Sequence, residues 1–298
     1  MEKLIVFAIV GFIGQLLDGS LGMSSGLTAT SFLLAVGIAP AIASTSIHLA
    51  ELVTTASSGV SHLRFGNIDK RLVRGLIIPG CIGGFIGAGL LSHISGEFIK
   101  PYISGALLVV GFYILYVYIF DKKKLRPKPR RRPKTVALPN KYFLYPLAFC
   151  AGLLDAIGGG GWGPLNTPVL ISQTGMKPRN VIGSVDASEF AVALSTTIGF
   201  FLFLGLSEVN WAWAAALAAG GMIAAPIAAW IVKILPSFIL GCLVGGVIIL
   251  TSTKTLLTSL ESTIPTSSHD AIYASLVTMW ILSSLLMIWK RKFKKSQK

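Results

Sequence analysis

Long apolar stretches with almost no charge dominate the chain. Residues 76–95, 102–120, 211–231 and 272–289 are runs of this kind, and each has the length, about 20 residues, of a helix that crosses the apolar core of a bilayer. Elsewhere the apolar pattern is broken. The stretch LLDAIGGGGWGPLNTPVL, residues 153–170, puts five glycines, a tryptophan and two prolines where a membrane helix would continue. Its apolar flanks, 142–154 and 165–173, are short, as are 4–17 and 27–36 around a related break. Ten residues make about 15 Å of helix, half a bilayer. Each pair predicts either a hairpin that enters and leaves one membrane face or two strongly bent spanning helices. The pattern identifies an all-α polytopic membrane protein, since a β-barrel would show short alternating segments instead. The first apolar stretch, MEKLIVFAIVGFIG, lacks a small-residue cleavage site and reads as an uncleaved membrane segment.

The break at 153–170 has a counterpart at 16–33, LLDGSLGMSSGLTATSFL. Asp155 aligns with Asp18, Gly159 with Gly22 and Gly163 with Gly26. Further on, Pro178 aligns with Pro40, Ser184 with Ser46 and Glu189 with Glu51; proline and glutamate are 11 residues apart in both halves. Two related halves are therefore expected: a first transmembrane repeat over 1–120, a basic linker over 121–141, a second repeat over 142–256, and an extra transmembrane helix with a basic tail over 257–298.

Charge placement sets their orientation. The net charge of +14 would suggest nucleic acid in a soluble protein, but the cations cluster in loops and the tail. Ten Lys/Arg lie in 121–141, six in 290–298 and four in 64–74. With 62–74, the linker, Lys177, Arg179, Lys233 and the tail inside, 23 of the 26 cations are cytoplasmic, as the positive-inside rule requires. Equivalent loops then fall on opposite sides: 62–74 is basic, while 205–210 carries only Glu208. This predicts inverted-topology repeats with broken or re-entrant helices, an architecture that places sites at the repeat interface near the midplane. The expected location is a bacterial inner membrane, with the linker and C-terminus cytoplasmic. The same basic segments suit anionic lipid headgroups, and nucleic acid is not an expected partner. Cys81, Cys150 and Cys242 lack ligand-like spacing and are expected to be buried and inert.

Nonhelical backbone at membrane depth lines a cavity or packs in protein. Pro164 suits the first position of a new helix, whose free amides and positive dipole end favour an anion. The candidate binding residues are Gly159, Gly160, Gly161, Trp162, Gly163, Asn166, Thr167 and Ser184, with Ser24, Ser25, Thr28 and Thr30 from the first half. Glycines that merely permit tight helix packing are the plainer reading; two related breaks in inverted halves favour a site.

Five of the 12 acids fall in apolar regions: Asp18, Glu51, Asp155, Asp186 and Glu189. Ionisable residues there are costly and mark functional positions. His48, Glu51, Thr55, Ser58 and His62 share one helix face; Asp186, Glu189 and Thr196 form the matching stripe. No Lys or Arg lies between Lys3 and Arg64, or between Arg179 and Lys233, so an anion between these stripes meets carboxylates unless they carry protons. Proton coupling through His48, Glu51, Asp186 and Glu189 follows as an expectation; a purely structural pairing is the alternative. Asp18 and Asp155 are expected to hold free amides in the breaks. His48 and Glu51 have the spacing of a cation site, but the second half has no matching histidine, so neither a metal nor a cofactor is expected. The metalloprotease motif H-E-x-x-H is absent from the sequence, and no enzyme is expected.

With Gly158-Gly-Gly-Gly-Trp-Gly-Pro-Leu-Asn-Thr-Pro168, Gly175-Met-Lys-Pro178 and Gly183-Ser184 in view, the chain resembles the TauE/SafE permeases, the sulfite exporter-like family. The resemblance spans both halves and the linker. The first half differs, with Gly22-Met-Ser-Ser-Gly26 and Thr30-Ser31 where family members often carry a glycine cluster and a later proline. The resemblance implies transport of sulfite or organosulfonates across the inner membrane. A passive anion channel and, less readily, a cation transporter are the competing readings. The glycine-rich faces 80–89 and 241–246 permit close helix contacts within one protomer or in a homodimer.

Overall fold

A computed structural model describes residues 2–21, 25–94, 96–119, 139–174, 176, 178–231, 246, 248–250, 252–257 and 271–281. The described residues form no strand. In chain order the helices are α1 (Glu2–Leu21), α2 (Ser25–Ala35), α3 (Pro40–Arg64), α4 (Lys70–His93), α5 (Gly96–Ile119), α6 (Lys141–Gly158), α7 (Trp162–Thr174), α8 (Pro178–Phe203) and α9 (Trp211–Ile231). Further helical segments lie at 252–257 and Ala271–Ile281. The linker from 121 to 138, residues 282–298, Cys242 and Ser24 lie outside the described residues; so does the side chain of Thr28.

Helices are the form in which a chain carries its own backbone hydrogen bonds through lipid. Lys70–His93, Arg179–Phe203 and Trp211–Ile231 are long and apolar enough to cross a membrane. The fold is turned inside out relative to a soluble bundle. Ile78, Ile82, Ile86 and Leu90 on α4 are exposed at four-residue spacing, so the outward stripe is apolar. The inward positions carry Gln15, Asp18, His48, Glu51, Asp155, Asp186 and Glu189, all buried.

The arms of the breaks differ from the expected short lengths. α1 has 20 residues and α6 has 18, about 30 and 27 Å at the helical rise. Only the second arms are short: α2 has 11 residues and α7 has 13. The glycines preceding the breaks stay helical because neighbouring helices pack against them. A Cβ on Gly152 of α6 would strike the Gly80 carbonyl of α4, and one on Gly11 of α1 would strike the Leu217 carbonyl of α9.

Packing exchanges partners between the halves. α1 lies on α9 and α6 on α4, while α3 packs on α8 and α9, and α8 on α3 and α4. The glycine face at 80–89 is thus used within the protomer: Gly80 receives Trp162 of α7 and Val192 of α8, Gly84 receives α8, and Gly83 and Gly87 receive α6. One apolar core joins Leu72, Leu76, Ala148, Trp162 and Leu170, and a second joins Phe7, Leu33, Ile47 and Leu217. Burial of the thiols is not general. Cys150 is exposed, whereas Cys81 is half-buried with its thiol directed at the Ala191 carbonyl.

Candidate functional site

α6 ends at Gly159, whose φ of 65° and ψ of 26° lie in the left-handed region, where glycine carries no Cβ penalty. The chain re-enters a helix at Trp162, two residues earlier than the proline predicts. Pro164 therefore occupies the third helical position rather than the first. Its missing N–H still falls among the amides that a helix start leaves without intrahelical partners. The early start is anchored by Asp155, whose Oδ1 accepts from the Trp162 amide at 2.9 Å. This amide is not free for an anion. In the first half, Asp18 stands seven residues before Ser25, the same separation. The Ser25 amide faces the Asp18 carboxylate without closing a hydrogen bond of ordinary geometry.

The two breaks touch. Thr30 of α2 donates to the Gly159 carbonyl at 3.4 Å. A Cβ on Gly26 would fall on that same carbonyl, and one on Gly159 would fall on the Thr30 hydroxyl. Close approach at both glycines is thus a condition of the contact. Ser25 extends the junction, its hydroxyl donating to Glu51 Oε1 at 3.2 Å.

Around the junction the buried ionisable groups form two triads, each assembled across the halves. The first joins His48 and Glu51 of α3 to Asp155 of α6; the second joins Asp186 and Glu189 of α8 to Asp18 of α1. Within each triad the ionisable atoms lie within 4.8 Å of one another. Groups this close feel one another's charge strongly, and no metal is assigned to them.

The first triad contains its own ion pair. His48 Nδ1 is 2.8 Å from Glu51 Oε2 and 3.9 Å from Asp155 Oδ2. Its Nε2 is 3.2 Å from the Asp155 carbonyl. Phe200 stacks on the imidazole at 6.2 Å, and Ser44 donates to the Ala156 carbonyl at 2.6 Å, fastening α3 to the end of α6. The second triad holds a carboxylate where the first has the imidazole. Neither oxygen of Asp18, Asp186 or Glu189 has a hydrogen-bond partner of ordinary geometry among the described residues.

The remaining predicted residues divide. Asn166 is fully buried on the first turn of α7, and neither its amide nitrogen nor its oxygen has a partner among the described residues. Gly160, Gly163 and Thr167 are buried beside it in sequence. The fully buried indole of Trp162 packs over Gly80 and donates to the Val185 carbonyl at 3.0 Å, so it wedges α7 against α4 and α8. Ser184 is tied to the end of α8: its hydroxyl donates to the Asn180 carbonyl at 2.6 Å and accepts from the Asp69 amide at 2.7 Å. The structure joins it to the 67–69 loop rather than to the breaks. Sequence reasoning put His62 on the polar stripe and gave it no task. Its contact with Asp186 requires α3 against α8, which no local pattern specifies.

Outside the membrane, Asp69 caps α4, accepting from the Arg71 and Leu72 amides. Partial burial acts to raise its pKa, but the Arg71 side chain and both amides outweigh it and hold the carboxyl below its usual range.

The comparisons with known proteins agree with this architecture. The chain is 51% identical over 290 residues to "Probable membrane transporter protein YtnM" of Bacillus subtilis (strain 168), covering 97% of this chain and 94% of that one. It is 26% identical over 195 residues to "Probable membrane transporter protein YdhB" of the same organism, covering 64% and 73%. No solved structure matches. The pattern of one family, "Sulfite exporter TauE/SafE", matches residues 7–255, and with the broken helices and buried polar stripes described above, this chain belongs to that family of membrane transporters.

Proposed function

We propose that the protein is a proton-coupled secondary transporter of small sulfur-containing anions, sulfite or organosulfonates, across the bacterial inner membrane. The substrate sits where the two breaks meet, and two inverted repeats, 1–120 and 142–256, rock about it. One observation carries this reading: the contact of Thr30 and Gly26 with Gly159 adjoins, through Ser25, an acid of each of the two buried triads built across the halves. The Asn166 amide is a buried donor without a partner among the described residues, ready to be satisfied by an anion. The family's printed name supplies the sulfur-anion class.

Coupling follows from charge. An anion beside Glu51 and Glu189 is bound favourably only when those carboxyls carry protons, so anion and proton move together. His48 serves the first triad as relay. Asp155 and Asp18 hold the short helices in register, and Trp162 positions α7. The linker and C-terminus face the cytoplasm, where their cations meet anionic lipid.

Sulfite and organosulfonate flux into proteoliposomes, with and without a pH gradient, tests the reading in wild type and Glu189→Gln. The expected result is gradient-driven flux that the substitution uncouples. Gradient-independent flux surviving Glu189→Gln would identify a passive anion channel. Folded protein that moves none of these anions would reject the substrate class and turn attention to cations.

A further inference from the structure

We infer that His62 is the gate through which protons pass between the loop at 65–69 and the buried carboxyls. The inference rests on the proton coupling proposed above and adds a residue and a side to it.

His62 sits in the last turn of α3 and is fully buried. Leu63, Arg64 and Phe65, next in sequence, are exposed, so the imidazole lies just beneath the surface. Its two nitrogens face different environments. Nδ1 is 3.2 Å from Nδ2 of Asn67 in the loop. Nε2 is 3.9 Å from Asp186 Oδ2, with no hydrogen-bond partner among the described residues. Gly183 keeps the space open: a Cβ there would come within 2.9 Å of His62 Nδ1 and 2.6 Å of the Asn67 carbonyl.

The charged groups around the ring are few. Arg64 lies beyond it on α3, exposed. Asp69 in the loop is occupied by Arg71. From α8 come Asp186 and Glu189, and from α1 comes Asp18. α9 contributes no titratable side chain. From Asp186 the path runs through the second triad towards Glu51, His48 and Asp155.

A two-ended imidazole passes a proton, and its charge, onward and itself returns to neutral. A proton arriving from the loop side displaces the Asn67 amide from Nδ1 and bonds there. The Nε2–H bond then breaks, an O–H bond forms on Asp186 Oδ2, and the ring is left neutral in its other tautomer. Rotation of the ring restores the first tautomer. A residue that only tied α3 to α8 would close the gap to Asp186 to hydrogen-bond length; the 3.9 Å separation leaves the donor aimed but unspent, as a gate at rest requires.

The test compares gradient-driven accumulation of sulfite with sulfite counterflow at equal pH on both faces, in oriented proteoliposomes. In His62→Gln, driven accumulation should fall about a hundredfold, the scale of a lost proton-transfer group, while counterflow stays near wild type. In wild type, the driven rate should follow the pH of the compartment facing the 65–69 loop. Equal coupling in wild type and His62→Gln overturns the gate alone. So does joint loss of coupling and counterflow in folded protein, which marks a structural tie. A wild-type profile set by the opposite compartment overturns it without any variant. A wild type that transports sulfite without responding to pH removes the coupling reading and the gate together.

Discussion

The two buried triads occupy matching positions and differ in one residue. In the first, His48 stands between Glu51 and Asp155, at 2.8 and 3.9 Å. In the second, Asp186 takes that position beside Glu189 and Asp18. The first therefore has a potential cation of its own; the second has three acids, with His62 at its edge, 3.9 Å from Asp186. Similar helix scaffolds thus surround a site that is paired on one side and short of positive charge on the other.

Removing the same position from each triad should therefore act with opposite sign. His48→Asn leaves two buried carboxyls without their partner and should cost about 3–5 kcal/mol, the range for breaking a buried ion pair. Asp186→Asn removes one of three crowded acids and should be neutral or stabilising by about 1 kcal/mol. Thermal unfolding of both variants in detergent measures this, and equal destabilisation would show that the triads are energetically alike.

The glycines around the break sharpen the contrast at the level of packing. Gly26→Ala places a methyl on the Gly159 carbonyl and should cost about 3 kcal/mol, the upper end for overpacking. Gly158→Ala, one residue before the left-handed turn, meets open space and should change stability by less than about 0.5 kcal/mol. Expression and unfolding midpoints read the difference directly.

Trp162→Phe tests whether that residue positions α7 or binds substrate. Losing the bond to the Val185 carbonyl should reduce stability by about 1–2 kcal/mol, with the order of preference among anions unchanged. A reordered preference would assign the indole to the substrate instead.

The smallest effect lies outside the membrane. Asp69→Asn should weaken the α4 cap by roughly 0.5 kcal/mol, below the ~1 kcal/mol typical for a lost cap, since asparagine still accepts hydrogen bonds. Asp69 has a lowered folded pKa. Its contribution is full above the unfolded value, near 3.9, and is lost as pH falls through the folded value beneath it. The wild type should lose this increment on acidification and Asp69→Asn should not, a difference that unfolding midpoints across that range detect.

Much of the fold was legible. Uncharged runs such as 76–95 and 211–231 announced α4 and α9, because lipid tolerates only backbone that satisfies itself. Asp18 and Asp155, costly at membrane depth, marked the breaks. The helix lengths were less legible. Gly11 and Gly152 read locally as weak helix positions, yet they stay helical because backbone of α9 and α4 packs where a side chain would be. The polar stripe from His48 to His62 followed from helical spacing, but the separate duties of its two histidines did not.

The sequence by itself determined that this chain lives in a membrane and that it is helical, since hydrophobic length and charge are properties of the chain. Only the tertiary structure decided that each half's acids are completed by the other half. Asp155 joins α3 and Asp18 joins α8 through contacts more than a hundred residues apart in the chain, where packing of one helix against another, and no local preference, sets which charges meet.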